Sequence, residues 1–305
     1  MPPARLRTVY RTVLPEPVRR RIRHQLYHRP RRLTLHLPVP PDRSARPRRV
    51  EMTAPRGMLV PRMLDEAGLA GYEPETLAVY LAAVDLAPAG TVLDIGANVG
   101  VYGLLARALS DRDVHAFEPV PELAQVAIAT GVTNRLTYGV SRLAVGREPG
   151  EATFYLSDSS DSSNSLNPTF RQSTRSLTVT VTTLDEYVET HGLVPAVVKI
   201  DAETGEPDVL AGGHETLRTH RPWLLLEVLP GRTEKAVAAE MEPWGYTWYR
   251  CVGEPPYAAS TDLAVNDGTA APMWLMLPEP ATDEFWNRAL QWLAALRATA
   301  EVKAR

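Results

Sequence analysis

The sequence predicts an α/β protein built on a mostly parallel, doubly wound sheet, and three observations carry that prediction. From about Tyr72 onward, short runs of β-branched and large apolar residues alternate with segments of helical spacing, the pattern of parallel strands joined by crossover helices. One such run, "TVLDI", leads directly into "GANVGVYG", a glycine-rich turn that opens a helix, as expected where a ligand crevice begins at the carboxyl end of a strand. Midway, "EATFYL" and "SLTVTVTTL" break the alternation and read as a small antiparallel pair inserted into the main pattern.

Taken in order, the first 50 residues stand apart. They hold fourteen arginines against Glu16 and Asp42, although the whole chain has a formal charge of only -3. Val18, Ile22 and Leu26 recur there at helical spacing, and "HLPVPPDRSARPRRV" reads as linker because its prolines fix φ and remove donors. The expected division is a basic arm over 1–50 and one main domain over 51–305. The arm is expected to dock or stay unstructured and to be dispensable for ligand binding. Nucleic acid is not an expected partner, because aromatics that stack bases are missing from this segment.

The main domain begins with a helix over "PETLAVYLAAVDLA", ended by "PAG". Seven strands follow from "TVLDI", "VHAFE", "LTYGV", "AVVKID", "WLLLEV", "YTWYR" and "MWLML". Helices fit "PELAQVAIAT", "EPDVLAGGHETLRTH" and "RTEKAVAAEMEPW" between them. At the end, "DEFWNRALQWLAALRATA" sets Phe285, Ala289, Leu293 and Leu296 on one face, predicting core packing, with a homodimer contact as the alternative. "SDSSDSSNSLN" is a polar loop expected near the ligand site or on the surface. A length of 305 residues fits one large core. The single cysteine, Cys251, excludes an internal disulfide and suits a reducing compartment, so a cytoplasmic location is expected. No stretch approaches 18 consecutive apolar residues, so no membrane span is expected.

The turn defines the candidate ligand site. Asp94 ends the first strand, Gly96 frees φ for a tight turn, and Gly100 opens the following helix. A dinucleotide fingerprint would need G-x-G-x-x-G, but Asn98 stands where the second glycine belongs, which disfavours a nicotinamide oxidoreductase. Glu118 ends the next strand, where a carboxylate can accept hydrogen bonds from both hydroxyls of a ribose. Gly96→Val is expected to abolish binding and leave the fold largely intact.

Four stretches, "VLDIGANVGVYGLLA", "HAFEPVPE", "TLDEYV" and "VVKIDAETGEPDVLAGG", occur in an order that resembles the FkbM family of S-adenosylmethionine-dependent methyltransferases, over roughly residues 72–228. The resemblance implies a Rossmann-like class I methyltransferase fold with S-adenosylmethionine as cofactor. It assigns cofactor contacts to Asp94, Gly96, Ala97, Asn98, Gly100, Glu118 and Pro119. The family's Lys-x-Asp-x-Glu-Gly-x-Glu motif is matched by Lys199, Asp201, Glu203 and Glu206, with Thr204 in place of its glycine and Gly205 after it. The acceptor implied is a hydroxyl on a small-molecule natural product or saccharide. On the strand "VVKID", Lys199 and Asp201 share one face, and Asp201 emerges at the crevice as the expected proton acceptor. Glu203, Glu206 and His214 are further catalytic candidates, and Lys199 is expected to pair with the acids. The acids Asp201, Glu203 and Glu206, with His214 nearby, could also bind a divalent metal through hard oxygen ligands, but no pair has a diagnostic spacing and no metal is expected. A cofactor-binding module without catalysis is the remaining alternative.

Overall fold

The computed structural model describes residues 18, 21, 25–42, 49–263 and 272–303. Its thirteen strands are β1 (Pro30–His36), β2 (Arg49–Pro55), β3 (Thr91–Ile95), β4 (Val114–Phe117), β5 (Gly139–Ser141), β6 (Ala144–Val145), β7 (Gly150–Leu156), β8 (Arg175–Thr182), β9 (Pro195–Ile200), β10 (Trp223–Glu227), β11 (Thr247–Arg250), β12 (Ala259–Ser260) and β13 (Met273–Leu277). The helices, in chain order, are α1 (Leu59–Ala67), α2 (Pro74–Leu86), α3 (Val101–Leu109), α4 (Pro121–Asn134), α5 (Leu184–His191), α6 (Glu206–Ala211), α7 (His214–His220), α8 (Glu234–Met241) and α9 (Asp283–Lys303).

The main sheet runs β12-β11-β13-β10-β9-β3-β4-β5. Pairings from β10 through β5 are parallel, while β13, β11 and β12 extend the sheet antiparallel. All seven expected strands are present, and the two-residue β12 adds an eighth at the edge. From β3 the chain winds outward through β4 to β5, then returns to lay β9 on the other side of β3. The crevice outside the carboxyl ends of β3 and β9 is therefore the topological switch point, where open α/β sheets bind ligands.

Strand alternation sorts the side chains into two layers. Val92, Val197 and Leu225 join the core under α2, α3, α4 and α9, whereas Leu93, Ile95, Val198, Ile200, Leu224 and Leu226 join the core under α5 to α8. By the same alternation Asp94, Lys199 and Glu227 belong to the first layer, which places three charges on one face. Helix α9 buries Phe285, Ala289, Leu293 and Leu296 as expected, and Trp292 Nε1 donates to Asp85 Oδ2 at 2.8 Å.

The inserted pair is present: β7 and β8 pair antiparallel from Gly150↔Val181 to Leu156↔Arg175, with β6 added parallel to β8. The segment expected as one helix over "EPDVLAGGHETLRTH" divides into α6 and α7. The break falls at Gly212–Gly213, and a Cβ at Gly212 would lie 2.1 Å from the Gly146 carbonyl oxygen, so no side chain fits there.

The boundary expected at residue 50 does not hold. β1 pairs with β2 from Pro30↔Pro55 to His36↔Arg49, and Leu33, Leu35 and Leu37 are buried with Val50, Met52 and Ala54. "RLTLHL" is an alternating strand pattern whose meaning the surrounding arginines and prolines hid. Removing residues 1–50 takes β1 out of the core. Of the expected stripe, Ile22 lies outside the described residues, and Val18 and Leu26 are exposed. Among the described residues no helix is long and apolar enough to cross a membrane.

Candidate active site

A cleft opens at the switch point, lined among others by Gly96, Ala97, Asn98, Glu118, Pro119, Lys199, Asp201, Glu203 and Glu227. Its turn is held by strand ends on both sides. The N–H groups of Gly96 and Ala97 donate to the Phe117 carbonyl at 3.1 and 2.9 Å, and the Asp201 N–H donates to the Ile95 carbonyl at 3.1 Å. Gly96 has φ +74°, and a Cβ there would lie 1.7 Å from the Asp201 carbonyl oxygen. The glycine is thus required by the chain's own packing on β9, which corrects the expectation that Gly96→Val leaves the fold intact. Asn98 takes φ 53°, a left-handed conformation that asparagine tolerates better than most residues.

Asp94 is fully buried, and its Oδ2 accepts the Gly103 N–H at 2.9 Å across the first turn of α3. Its Oδ1 lies 3.7 Å from Lys199 Nζ, too long for a hydrogen bond. Asp94 therefore braces the turn from below and does not line the cleft. Gly100, at φ 79°, likewise packs inward, against Tyr138 and Ala127.

Glu118 is buried, with Oε2 accepting the Asn98 N–H at 2.9 Å and Oε1 the Val120 N–H at 2.8 Å. Each oxygen keeps a further lone pair for a ligand hydroxyl. Burial pushes its pKa up to about 7, against the opposing pull of those two N–H groups.

Lys199 is buried between acids. Its Nζ donates to Asp201 Oδ2 at 3.1 Å and to the Gly96 carbonyl at 3.3 Å, and it lies 5.0 Å from the centre of the Tyr102 ring. Burial opposes its charge, but Asp201 and Asp94 outweigh that and hold it above its ordinary pKa. Tyr102 in turn donates to Glu73 Oε2 at 2.7 Å, bringing a further acid to the cleft wall.

The motif around Glu203 is strained. Glu203 and Thr204 have φ 51° and 82°, whereas Gly205 has an ordinary φ of -88°. Thr204, not the glycine beside it, takes the left-handed conformation. The serine-rich loop clamps it: Ser165 Oγ donates to the Glu203 carbonyl at 2.5 Å and lies 3.3 Å from Thr204 Oγ1. In the same loop Asp161 Oδ1 accepts the Leu59 N–H at 3.0 Å, tying the loop to α1 across the cleft mouth. Because a β-branched residue at such a φ costs roughly 1 to 3 kcal/mol, Thr204→Gly is expected to raise stability by about 1 kcal/mol after the added chain entropy of glycine. Urea denaturation measures it; a loss would mean that the hydroxyl contact with Ser165 outweighs the strain.

Glu203 is pushed up to about 8 by burial and by the charges of Asp201 and Glu206. Glu206 is fully buried and pushed up to about 8 by burial, with Oε1 accepting the Ala202 N–H at 2.8 Å. His214 is not in the cleft. It begins α7, beyond the break at Gly212–Gly213, and its Nε2 pairs with Glu240 Oε2 at 2.7 Å. That pairing corrects the expectation of a catalytic role for His214.

Sequence reasoning missed Glu227, which ends β10 beside Asp201 and is raised well above the carboxylate range by burial and then by Asp201, Glu203 and Glu206. The available signal was "WLLLEV", an acid closing an apolar strand just as in "HAFE" and "VVKID".

A doubly wound sheet with a glycine turn and an acidic crevice at its switch point defines a Rossmann-like ligand-binding protein. Residues 94–247, which are 154 of the 305, match the methyltransferase FkbM domain. The chain belongs to that family. It is similar to the 31-O-demethyl-FK506 methyltransferase FkbM of Streptomyces tacrolimicus, 39% identical over 75 residues that span 24% of this chain and 29% of that protein. The chain thus matches under a third of that relative's length. Among solved structures, an FkbM methyltransferase from Methylobacillus flagellatus KT is 15% identical with a TM-score of 0.36, covering 62% of this chain and 43% of that one. A SAM-dependent methyltransferase from Agrobacterium tumefaciens is 12% identical with a TM-score of 0.39, covering 75% and 68%. Likenesses of that size carry no functional weight.

Proposed function

We propose that the protein is an S-adenosylmethionine-dependent methyltransferase that methylates a hydroxyl on a small-molecule natural product or saccharide. The observation that carries this reading is the Gly96–Gly100 turn with the buried Glu118 carboxylate hydrogen-bonded to its Asn98 N–H at 2.9 Å, both lining the switch-point cleft, in a chain of the FkbM family. The residues fit the cofactor chemically: Glu118 suits a ribose diol, Phe117, Leu143 and Ala144 offer apolar contact, and Glu73 and Asp201 suit a cationic centre. Bound there, S-adenosylmethionine supplies an electrophilic methyl group on a positively charged sulfur. Gly96, Ala97, Asn98, Glu118 and Pro119 hold it, while Asp94 and Gly100 keep the turn in shape. The oxygen acceptor is supported by the relative from Streptomyces tacrolimicus, described as a 31-O-demethyl-FK506 methyltransferase.

Within this reading, Lys199 fixes Asp201 at the cleft wall, and Glu203 holds the proton of the acceptor hydroxyl. Glu203 suits that task because its raised pKa lies near neutrality, where a general base is most effective, whereas Asp201 is engaged by Lys199 at 3.1 Å. The Ser165 clamp keeps the strained Glu203 turn in place, and the loop around Asp161 limits water at the reacting groups.

Calorimetric titration tests the cofactor, with NAD as the control ligand. Saturable S-adenosylmethionine binding and no NAD binding is the expected result, and the reverse would overturn the reading. Glu118→Ala is expected to weaken that binding by about 1.5 to 3 kcal/mol, since charge-assisted bonds and the Asn98 tether are lost together. Glu118 also predicts a pH dependence. Below 4.5 its carboxyl is protonated in folded and unfolded chains alike; from 4.5 to about 7 only the folded chain keeps the proton. Stability present below 4.5 is therefore lost as pH rises through 7, by on the order of 3 kcal/mol from this group. Thermal melts of the cofactor-free protein should fall from pH 5 to pH 8, and Glu118→Gln should flatten that slope.

A further inference from the structure

Asp201, Glu206 and Glu227 come from three places in the chain: just past the end of β9, the start of α6 and the end of β10. One carboxylate oxygen from each lies within 4.8 Å of the other two. Two oxygens bound to one hard cation at about 2.0 to 2.6 Å can stand no more than about 5 Å apart, so these three can share an ion.

A second observation bears on the same point. Glu206 Oε2 and Glu227 Oε2 are buried and accept no hydrogen bond of normal geometry among the described residues, in side chains 0% and 9% exposed. A buried carboxylate oxygen without a partner is costly, and a cation is one of the few groups that removes the cost at both oxygens at once. Two of the remaining oxygens are engaged: Ala202 N–H holds Glu206 Oε1, and Lys199 holds Asp201 Oδ2. Such contacts orient carboxylates toward a metal from outside its ligand set. Lys199 offsets charge on Asp201 and Asp94 but makes no bond to Glu206 or Glu227.

We propose that Asp201, Glu206 and Glu227 form a binding site for one divalent cation of the oxygen-preferring class, Mg2+, Mn2+ or Ca2+. Three carboxylates fill about half of the roughly six positions such ions use, and Asp201 and Glu227 line the cleft, so the remaining positions face the acceptor. Two neighbouring acceptor oxygens, as in a diol or a hydroxy ketone, fit there. That last step rests on the methyltransferase reading; the cation site does not. A bound cation also lowers the pKa of a hydroxyl it touches, which assists proton transfer to Glu203.

The test is titration of the full, chelator-treated chain with Mn2+, followed by calorimetry and by the loss of the free-ion paramagnetic signal. One Mn2+ per chain with a Kd below about 1 mM is expected. Glu206→Gln and Glu227→Gln should each weaken it by roughly tenfold or more, while Glu279→Gln, an exposed acid elsewhere, should not. Absence of a stoichiometric site in the parent protein overturns the proposal whether or not the variants fold, and so do glutamine variants that bind as the parent does. S-adenosylmethionine is titrated into the same samples. Cofactor binding without Mn2+ binding sinks the cation site and leaves the methyltransferase reading standing; Mn2+ binding without cofactor binding does the opposite.

Discussion

Gly96→Val is expected to abolish S-adenosylmethionine binding and to lower stability by roughly 2 to 4 kcal/mol. A left-handed φ of +74° is unfavourable for any β-branched residue, and here the first carbon of the side chain would sit 1.7 Å from the Asp201 carbonyl oxygen. Neither side can yield cheaply. The Gly96 and Ala97 N–H groups are tied to Phe117, and Asp201 N–H is tied to Ile95, so relief requires separating β9 from the turn. That movement displaces Asp201 and the Lys199 contact to the Gly96 carbonyl together. Gly96→Ala should show most of the same loss, because the clash is at Cβ. Urea denaturation and cofactor titration on both variants check it; an alanine variant with the parental midpoint would show that the turn relaxes freely and that the packing argument is wrong.

Glu203→Gln is expected to reduce the rate of single-turnover methyl transfer by about 100-fold to 10,000-fold, the usual contribution of a general base, with cofactor affinity preserved. Glutamine keeps the shape of the side chain and its backbone turn but cannot take a proton. The charge removed also relieves repulsion on Asp201 and Glu206, so stability should hold or rise at pH 8. Asp201→Asn should behave differently, because Asp201 pairs with Lys199 at 3.1 Å and its loss leaves a buried ammonium with fewer partners. Stability and cofactor affinity should fall with it. The pH profile separates the roles: the rising limb assigned to Glu203 should disappear in Glu203→Gln. Near-parental turnover in that variant would move the proton to another acceptor.

Several site residues are legible in the order of amino acids alone. Asp94, Glu118 and Lys199 sit at or near the ends of strand-like runs, and the alternation of side chains is enough to put Lys199 and Asp201 on one face. His214 misleads because its distance along the chain from Glu206 is short, while α6 and the Gly212–Gly213 break carry it down the side of the sheet to Glu240. Ser165 and Asp161 are visible in the sequence only as parts of a polar loop, since turn-forming residues specify local bends and not what the loop will touch.

Periodicity and motifs a few residues long are enough to establish the α/β class, the order of the parallel strands along the chain, the glycine turn and the family. Contacts between distant segments settle the rest. Glu227 joins Asp201 and Glu206 because β10 lies beside β9 in the sheet, a pairing in which Leu225 stands opposite Lys199 across 26 residues of chain. β1 joins the core because its partner β2 supplies the matching apolar face. Both depend on strand pairing at long range, and a period-two pattern marks which face of a strand is buried without naming the strand that will lie next to it.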